Sequence, residues 1–314
     1  MASTQRAALA LLLAFGCGSR ASRTAQLYPS EKVVIQSSVV GLSGLTVDAD
    51  GQLWAVPEEA RVLISVNVGT GQTEAYPIEG LDDAVELESL AYLSPGRFLV
   101  GTEAEDAQRQ VDALVTLRAD GGRFVVEQNA VCPYAHWHVR PEANRGIEGI
   151  CHSGAGEILV ATEVVEEVEG HRYAPLARRN MDGWHSYSLE LTSDTGKISG
   201  LSCTRASNGD VLAIAIERHF GRTRLLSFRV PNESAPVHAT PIQPRVLADL
   251  DGWVREQAEP PNFEGIARLP DGRIAVVVDN YYHHEQAGPS TLFVFPHAVD
   301  ANAGQDEWPV VATR

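Results

Sequence analysis

The segment IEGICHSGAGEILVATE, residues 147–163, decides the fold. It opens with an apolar residue, an acid, a glycine and a second apolar residue: Ile147, Glu148, Gly149, Ile150. A turn signal, Gly154-Ala155-Gly156, follows, and then an apolar run that ends in Glu163. Two short apolar-rich runs around a glycine turn read as a β-hairpin. The pattern returns at LSGLTV (42–47), LESLAY (87–92), ISGLSC (198–203) and FEGIAR (263–268). The turns of these copies are Asp50-Gly51, Ser94-Pro95-Gly96, Asn208-Gly209 and Asp271-Gly272. Their closing acids are Glu58, Glu103, Glu217 and Asp279. Such self-similarity is the mark of a repeat architecture.

In four copies the Ser or Glu of the motif lies 15 residues before the closing acid; from Ser199 to Glu217 the gap is 18. The turn sits near the midpoint each time. The two polar residues of each hairpin are therefore expected opposite each other, at its open end.

Working outward, the first unit predicts strands at 43–48, 52–57, 62–68 and 72–78, and the second at 87–92, 97–103, 111–118 and 123–128. The third predicts 147–152 and 157–163, a Glu- and Arg-rich insertion over 164–183, and a strand at 184–191. The fourth predicts 199–204, 210–217, 223–230 and 244–250, and the fifth 263–269, 273–279 and 290–296. Four strands per unit is the arithmetic of a β-propeller. The motifs recur at intervals of 45, 60, 51 and 65 residues. Even the longest leaves no room for a further complete unit of about 40–45 residues. The expectation is an all-β, five-bladed β-propeller with four antiparallel strands per blade, one domain over residues 31–314. The outermost strand of the last blade would come from residues 32–37 or from 309–313, closing the ring and removing its free sheet edges.

The chain has 314 residues with a formal net charge of −16, 17 Pro, 27 Gly and two Met. That charge repels a phosphate backbone and argues against nucleic-acid binding. It suits cations, and it also suits an ordinary solvated acidic surface. Residues 7–15 (AALALLLAF) form an apolar run too short to span a bilayer, and Gly16-Cys17 follows. This start resembles a bacterial lipoprotein signal. Residues 1–17 are then the export signal, Cys17 the lipidated N-terminus and the membrane link, and 18–30 a tether. The expected location is periplasmic or anchored to the outer membrane of a bacterium. Cys132, Cys151 and Cys203 fit no zinc spacing, and an exported chain can pair two of them.

In a propeller the first polar residue of each hairpin faces the axis. That gathers Glu88, Glu148 and Glu264, with Ser43 and Ser199 between them. Converging carboxylates either keep protons or hold a cation. An all-oxygen ring suits Ca²⁺, whereas Zn²⁺ favours His or Cys. The other reading is that these five residues only hydrogen-bond neighbouring strand ends.

The order Ser, Glu, Glu, Ser, Glu resembles the central calcium site of the calcium-activated nucleotidase (apyrase) family. Those are five-bladed propellers that hydrolyse nucleoside di- and triphosphates. The likeness covers the five motifs and little between them, and the family's nucleotide-gripping loops have no clear counterpart. NRGIEGICHSGAGEILVATE (144–163) and NFEGIARLPDGRIAVVVDN (262–280) resemble the phytase-like, esterase-like propeller domain of secreted bacterial proteins, loosely over some 250 residues. That resemblance implies a fold more than a substrate.

A phosphoester hydrolase on this face needs cations against developing charge. Arg61, Arg145, Arg178, Arg179, Arg218 and Arg222 fall in or near loops after ring strands, where a plain surface role is the alternative. The expected catalytic set is Glu103, Glu163, Asp279, Arg145 and Arg218, and the expected Ca²⁺ set is Ser43, Glu88, Glu148, Ser199 and Glu264. His136, Trp137 and His138, and Tyr281, Tyr282, His283 and His284, are placed in loops at the same mouth, for stacking, proton relay or packing. No G-x-S-x-G, H-E-x-x-H, P-loop or dinucleotide motif is present. The expected function is calcium-dependent hydrolysis of a small phosphorylated molecule by a monomer. The alternative is a non-catalytic envelope lipoprotein that binds an unknown ligand or a protein partner. A six-bladed sugar or lactone hydrolase needs Asn ligands in the ring, and Asn280 alone is placed for that.

Overall fold

The computed structural model describes residues 27–296 apart from 83, 105, 220, 233–239 and 281–287. Its strands are, in chain order, β1 (Glu31–Val34), β2 (Leu42–Val47), β3 (Leu53–Pro57), β4 (Val62–Val66), β5 (Thr73–Glu79), β6 (Glu86–Ser94) and β7 (Arg97–Glu103). Then come β8 (Val111–Ala119), β9 (Phe124–Pro133), β10 (Ile147–Gly154), β11 (Glu157–Thr162), β12 (Glu166–Val168), β13 (His171–Asn180) and β14 (Gly183–Glu190). The last are β15 (Lys197–Arg205), β16 (Val211–His219), β17 (Arg222–Val230), β18 (Arg245–Asp249), β19 (Asn262–Arg268), β20 (Ile274–Asp279) and β21 (Thr291–Phe295). A 3-10 turn (Tyr134–His136) and one short helix, α1 (Asp251–Glu256), complete the described secondary structure. The chain is all-β, as its alternation predicts.

Each sequence repeat becomes an antiparallel meander. The first two, β2-β3-β4-β5 and β6-β7-β8-β9, touch through a short parallel pairing of β5 with β9, Ile78 opposite Phe124. The fourth is β15-β16-β17-β18. The fifth, β19-β20-β21, takes its outer strand from the start of the chain: β1 pairs with β21, Lys32 opposite Phe293. Of the two expected closing segments the N-terminal one is used; residues 309–313 lie outside the described residues, with the predicted signal, Cys17 and Tyr281 to His284.

The third meander corrects the expectation of an insertion over 164–183. That stretch contains β12 and β13, and β14 extends the sheet. Its Glu and Arg residues hide a regular strand, because Ala174, Leu176 and Ala177 are buried and the charges sit near the strand ends.

The apolar residues separate into clusters, one between each meander and the next. Leu63 and Val56 meet Leu90 and Val100 between the first and second. Leu99 and Leu114 meet Ile150 and Val160 between the second and third. Leu159 and Leu176 meet Leu201 and Leu226 between the third and fourth. Ile214 and Ile216 meet Phe263 and Val276 between the fourth and fifth. Leu292 and Val277 meet Leu45 and Ile64, which returns the circuit to the first. Within one strand the faces divide: Ala213 and Ala215 serve one cluster, Ile214 and Ile216 the next. The period of two along a strand is what lets a sheet be sandwiched this way.

Candidate functional site at the open ends of the hairpins

All five motif residues are the extra residue of a β-bulge. In the first hairpin Leu42 pairs with Pro57 and Gly44 with Val56, which leaves Ser43 over. The same slip isolates Glu88, Glu148 and Ser199, and in the last hairpin Glu264 with Gly265. A bulge re-aims a side chain out of the ladder, and here it turns each motif residue to the shared interior. The small residue that follows lets the first strands approach. A Cβ on Gly265 would stand 2.1 Å from the Ser43 carbonyl oxygen, and one on Gly200 would stand 2.4 Å from that of Glu264. In the second unit Ser89 replaces the glycine, and its hydroxyl donates to the Ile147 carbonyl at 2.8 Å.

The three acids among these residues open onto a cavity of about 630 Å³, while Ser43 and Ser199 are buried beneath it. Glu88, Glu148 and Glu264 line it, as do Glu58, Glu103, Glu163, Asp279 and Arg218. The two serines bind across the circuit. Ser43 donates to the Glu88 carbonyl at 2.7 Å and its carboxylate at 3.0 Å, and Ser199 donates to the Phe263 carbonyl at 2.9 Å.

A second tier sits one residue beyond the pair that flanks each bulge at the open end: Leu42 with Pro57, Leu87 with Thr102, Ile147 with Thr162, Ile198 with Glu217 and Phe263 with Val278. It reads Glu58, Glu103, Glu163, Arg218, Asp279. This corrects the expectation for the fourth unit. Glu217 pairs with Ile198 and does not line the cavity; its carboxylate accepts both N–H and hydroxyl of Thr192 and Ser193 at 2.6–3.0 Å. Arg218 opposes Lys197 and takes the position that an acid holds elsewhere.

The cavity is therefore divided. On one side the carboxylate oxygens of Glu86, Glu88 and Glu103 lie within 4.8 Å of one another. Burial, then the charges of Asp279 and Glu264, pushes Glu58 up to about 9. Burial pushes Glu103 up to about 7, against the Gly146 N–H that donates to it at 2.5 Å. Burial and like charge hold Glu88 and Glu148 well above the carboxylate range. On the other side Arg218 grips Glu264, and Lys197 pairs with Glu163. Burial, then Arg218, brings Lys197 down to about 8. Asn262 bridges Glu264 and Asp279 at 2.8 and 3.1 Å.

Of the other expected cations, Arg145 lies at the rim, with Nε 4.0 Å from Glu163 and Nη1 2.9 Å from Glu142. Arg222 lines the cavity and pairs with Asp251 at 2.9 Å. Arg61 holds backbone carbonyls of Glu59 and Val85. Arg178 is misplaced by the sequence reading: it is fully buried at the turn end, bonded to Glu157 at 3.0 Å and to the Gly209 and Pro231 carbonyls. Arg179 lies over the Trp184 ring. Trp137 packs in the core between the second and third meanders, and His138 is exposed. Asn280 accepts from the Gly41 N–H and the Ser290 hydroxyl. Glu86, Lys197 and Asn262 escaped the sequence reading. Each stands two residues before a motif residue, where the strand period brings it to the same side.

A family profile described as phytase-like, esterase-like activity of phytase, matches residues 37–281. The chain belongs to this phytase-like family. No curated protein matches it in sequence. Solved structures similar to this phytase-like chain share little sequence. Major allergen Mala s 1 of Malassezia sympodialis is 9% identical with a TM-score of 0.54, over 84% of this chain and 96% of that one. Myxococcus xanthus glutaminyl cyclase is 16% identical with a TM-score of 0.51, over 86% and 95%. The PQQ-bound aldose sugar dehydrogenase of Streptomyces coelicolor is 10% identical with a TM-score of 0.50, over 86% and 97%. The likeness is one of β-propeller fold.

Proposed function

We propose that the five meanders are the blades of a five-bladed β-propeller, and that its acidic mouth binds Ca²⁺ and hydrolyses a phosphoester or phosphoanhydride. The closed circuit of apolar clusters supports five blades. The observation that carries the functional reading is the charge imbalance of the cavity. Among the described residues, nine Asp or Glu and three Lys or Arg line about 630 Å³. An anionic substrate is repelled from such a mouth until a cation enters.

The donor set on the acidic side is all carboxylate oxygen, which fits a hard ion. Glu86, Glu88 and Glu103 would hold it, with Glu58 and Glu148 beside them. Of the expected ring, Ser43 supports Glu88, Ser199 holds a backbone carbonyl, and Glu264 is tied to Arg218. This shifts the proposed site off the axis, toward the second blade. A bound Ca²⁺ would polarise phosphate oxygens and offset the charge that develops on them. Lys197 and Arg218, on the opposite wall, would orient the remaining phosphate oxygens. Glu163, held by Lys197 with Arg145 at the rim, would position the attacking water, and Asp279 is the alternative base on the same tier. The family's description, esterase-like activity of phytase, accords with ester hydrolysis.

The rival reading, a non-catalytic binding protein, draws on one observation: Arg218 and Lys197 already have partners in Glu264 and Glu163. Turnover separates the two. Hydrolysis of p-nitrophenyl phosphate or a nucleoside diphosphate with Ca²⁺, abolished by EDTA, is the expected result. Calcium binding without turnover on either substrate would favour the binding protein.

Export is part of the proposal. Cys151 and Cys203 form a disulfide between β10 and β15, and Cys132 is free and buried. A disulfide accords with an oxidising compartment, and hence with the signal read at residues 1–17. Among the described residues no helix is long and apolar enough to cross a membrane.

A further inference from the structure

The segments that lead into the first strands carry carbonyls outside any ladder, and such groups need donors. Among the described residues, three of these leads share one device. Arg61 donates to the Asp82 and Val85 carbonyls at 3.3 and 2.5 Å, just before β6. Arg109 donates to the Glu142 and Arg145 carbonyls at 2.7 and 3.0 Å, just before β10. Arg172 donates to the Ser193 and Gly196 carbonyls at 3.3 and 2.8 Å, just before β15. Each time the two carbonyls stand six and three residues before the motif residue, Glu88, Glu148 or Ser199. Each arginine sits at the start of the third strand in the ladder of the preceding meander: Arg61 before β4, Arg109 before β8, Arg172 in β13. A planar guanidinium holds two carbonyls at once in a fixed geometry, which an ammonium does not.

What is held matters to the mouth. The carbonyl three residues before the motif belongs to the peptide that carries the next residue: Glu86, Gly146 or Lys197. Glu86 shares the carboxylate cluster with Glu88 and Glu103. The Gly146 N–H donates to Glu103 at 2.5 Å. One planar peptide therefore lies between Arg109 and the Glu103 carboxylate, its oxygen held by the first and its N–H by the second. The other N–H groups of Arg109 go to the Asp106 carbonyl, the Asp112 carboxylate and the Tyr134 hydroxyl at 2.6–3.0 Å, so the fork is fixed on every arm. Arg61 also takes the Glu58 and Glu59 carbonyls at 3.4 and 2.7 Å, which ties the closing end of the first hairpin to the lead into β6.

We propose that Arg61 and Arg109 are positioning residues of the cation site, each acting through the peptide that it holds: Arg61 on Glu86, Arg109 on Glu103. This rests on the reading of the acidic mouth as a cation site. Neither arginine lines the mouth itself.

Calcium titration of the full chain by calorimetry tests it, with terbium luminescence lifetimes in H₂O and D₂O to count the waters left on a bound ion. Arg61→Gln removes a positive charge near an acidic mouth, so electrostatics alone would tighten calcium binding. Positioning predicts the reverse: binding weaker by about ten-fold or more, the usual scale for a group that orients a metal ligand, and more waters on terbium. Arg109→Lys keeps a charge beside Asp112 but loses the fork. It should show the same loss, and it serves if Arg61→Gln fails to fold. Arg178→Gln, at the turn ends, should lose stability yet bind calcium as the wild type does. Should the wild type bind calcium while folded Arg61→Gln and Arg109→Lys bind it as tightly or more tightly, with no added water, this inference is overturned and the cation reading stands. A wild type that binds no calcium would bring down the cation reading and this inference with it.

Discussion

Arg218 holds the Glu264 carboxylate with two nitrogens, Nε at 3.3 Å from one oxygen and Nη2 on the other. Glu264 is buried and the Arg218 side chain is 15% exposed, and the pair joins the fourth and fifth hairpins across the mouth. A buried ion pair of this kind is costly to break from one side, because the survivor keeps its charge without a counter-ion.

Arg218→Met should therefore lower stability by about 3–5 kcal/mol. Arg218→Met combined with Glu264→Gln should recover much of that loss, since no uncompensated charge remains. Urea denaturation of the wild type, both single variants and the double variant measures it. A loss below about 0.5 kcal/mol in Arg218→Met would mean that the pair is not formed.

Stability without metal should fall as pH rises. Glu103 at about 7 and Glu58 at about 9 are raised above the value of 4.5 that a free Glu has. A raised carboxyl leaves the folded state holding protons that the unfolded chain has lost. Its contribution is complete below the unfolded value and disappears as pH climbs through the folded one. Lys197, depressed to about 8, acts in the opposite sense and gains above that pH. The steepest loss should lie between about pH 5 and 8. Denaturation in EDTA across that range tests this, and a flat or rising profile would contradict it.

The motif residues were legible because a bulge demands a particular local pattern. An extra residue must turn inward, and the next must be small enough for a neighbouring strand to pass. Ser43-Gly44, Glu148-Gly149, Ser199-Gly200 and Glu264-Gly265 write that requirement in the chain, and Glu88-Ser89 is the tolerated variant. The fourth closing position was not legible. Glu217 and Arg218 are adjacent, and register decides which of two neighbours faces inward; the longer gap from Ser199 hid the shift. β13 was obscured because Arg178, within it, is buried against Glu157 rather than solvated. The partner of Cys151 depends on how β10 meets β15, a contact between repeats that spacing within a repeat does not specify.

That disulfide should matter to stability more than to shape. It closes a loop spanning 52 residues between two strands that already pack together. In the chain-entropy account such a closure contributes about 4 kcal/mol. Replacing both Cys151 and Cys203 by Ala should shift the denaturation midpoint down while leaving the far-ultraviolet spectrum of a β protein. An unshifted midpoint would show that the bridge is absent in solution.

The central claim is that the acidic mouth is a cation site, and calcium titration by calorimetry on the metal-free chain tests it most directly. The wild type should bind Ca²⁺ and show a higher melting temperature with it than in EDTA, because the ion binds the folded state. Glu88→Gln should weaken the binding about ten-fold or more while the fold survives, since the side-chain volume is kept. A wild-type chain that gives no binding heat at millimolar Ca²⁺ and melts at the same temperature in EDTA would contradict the account.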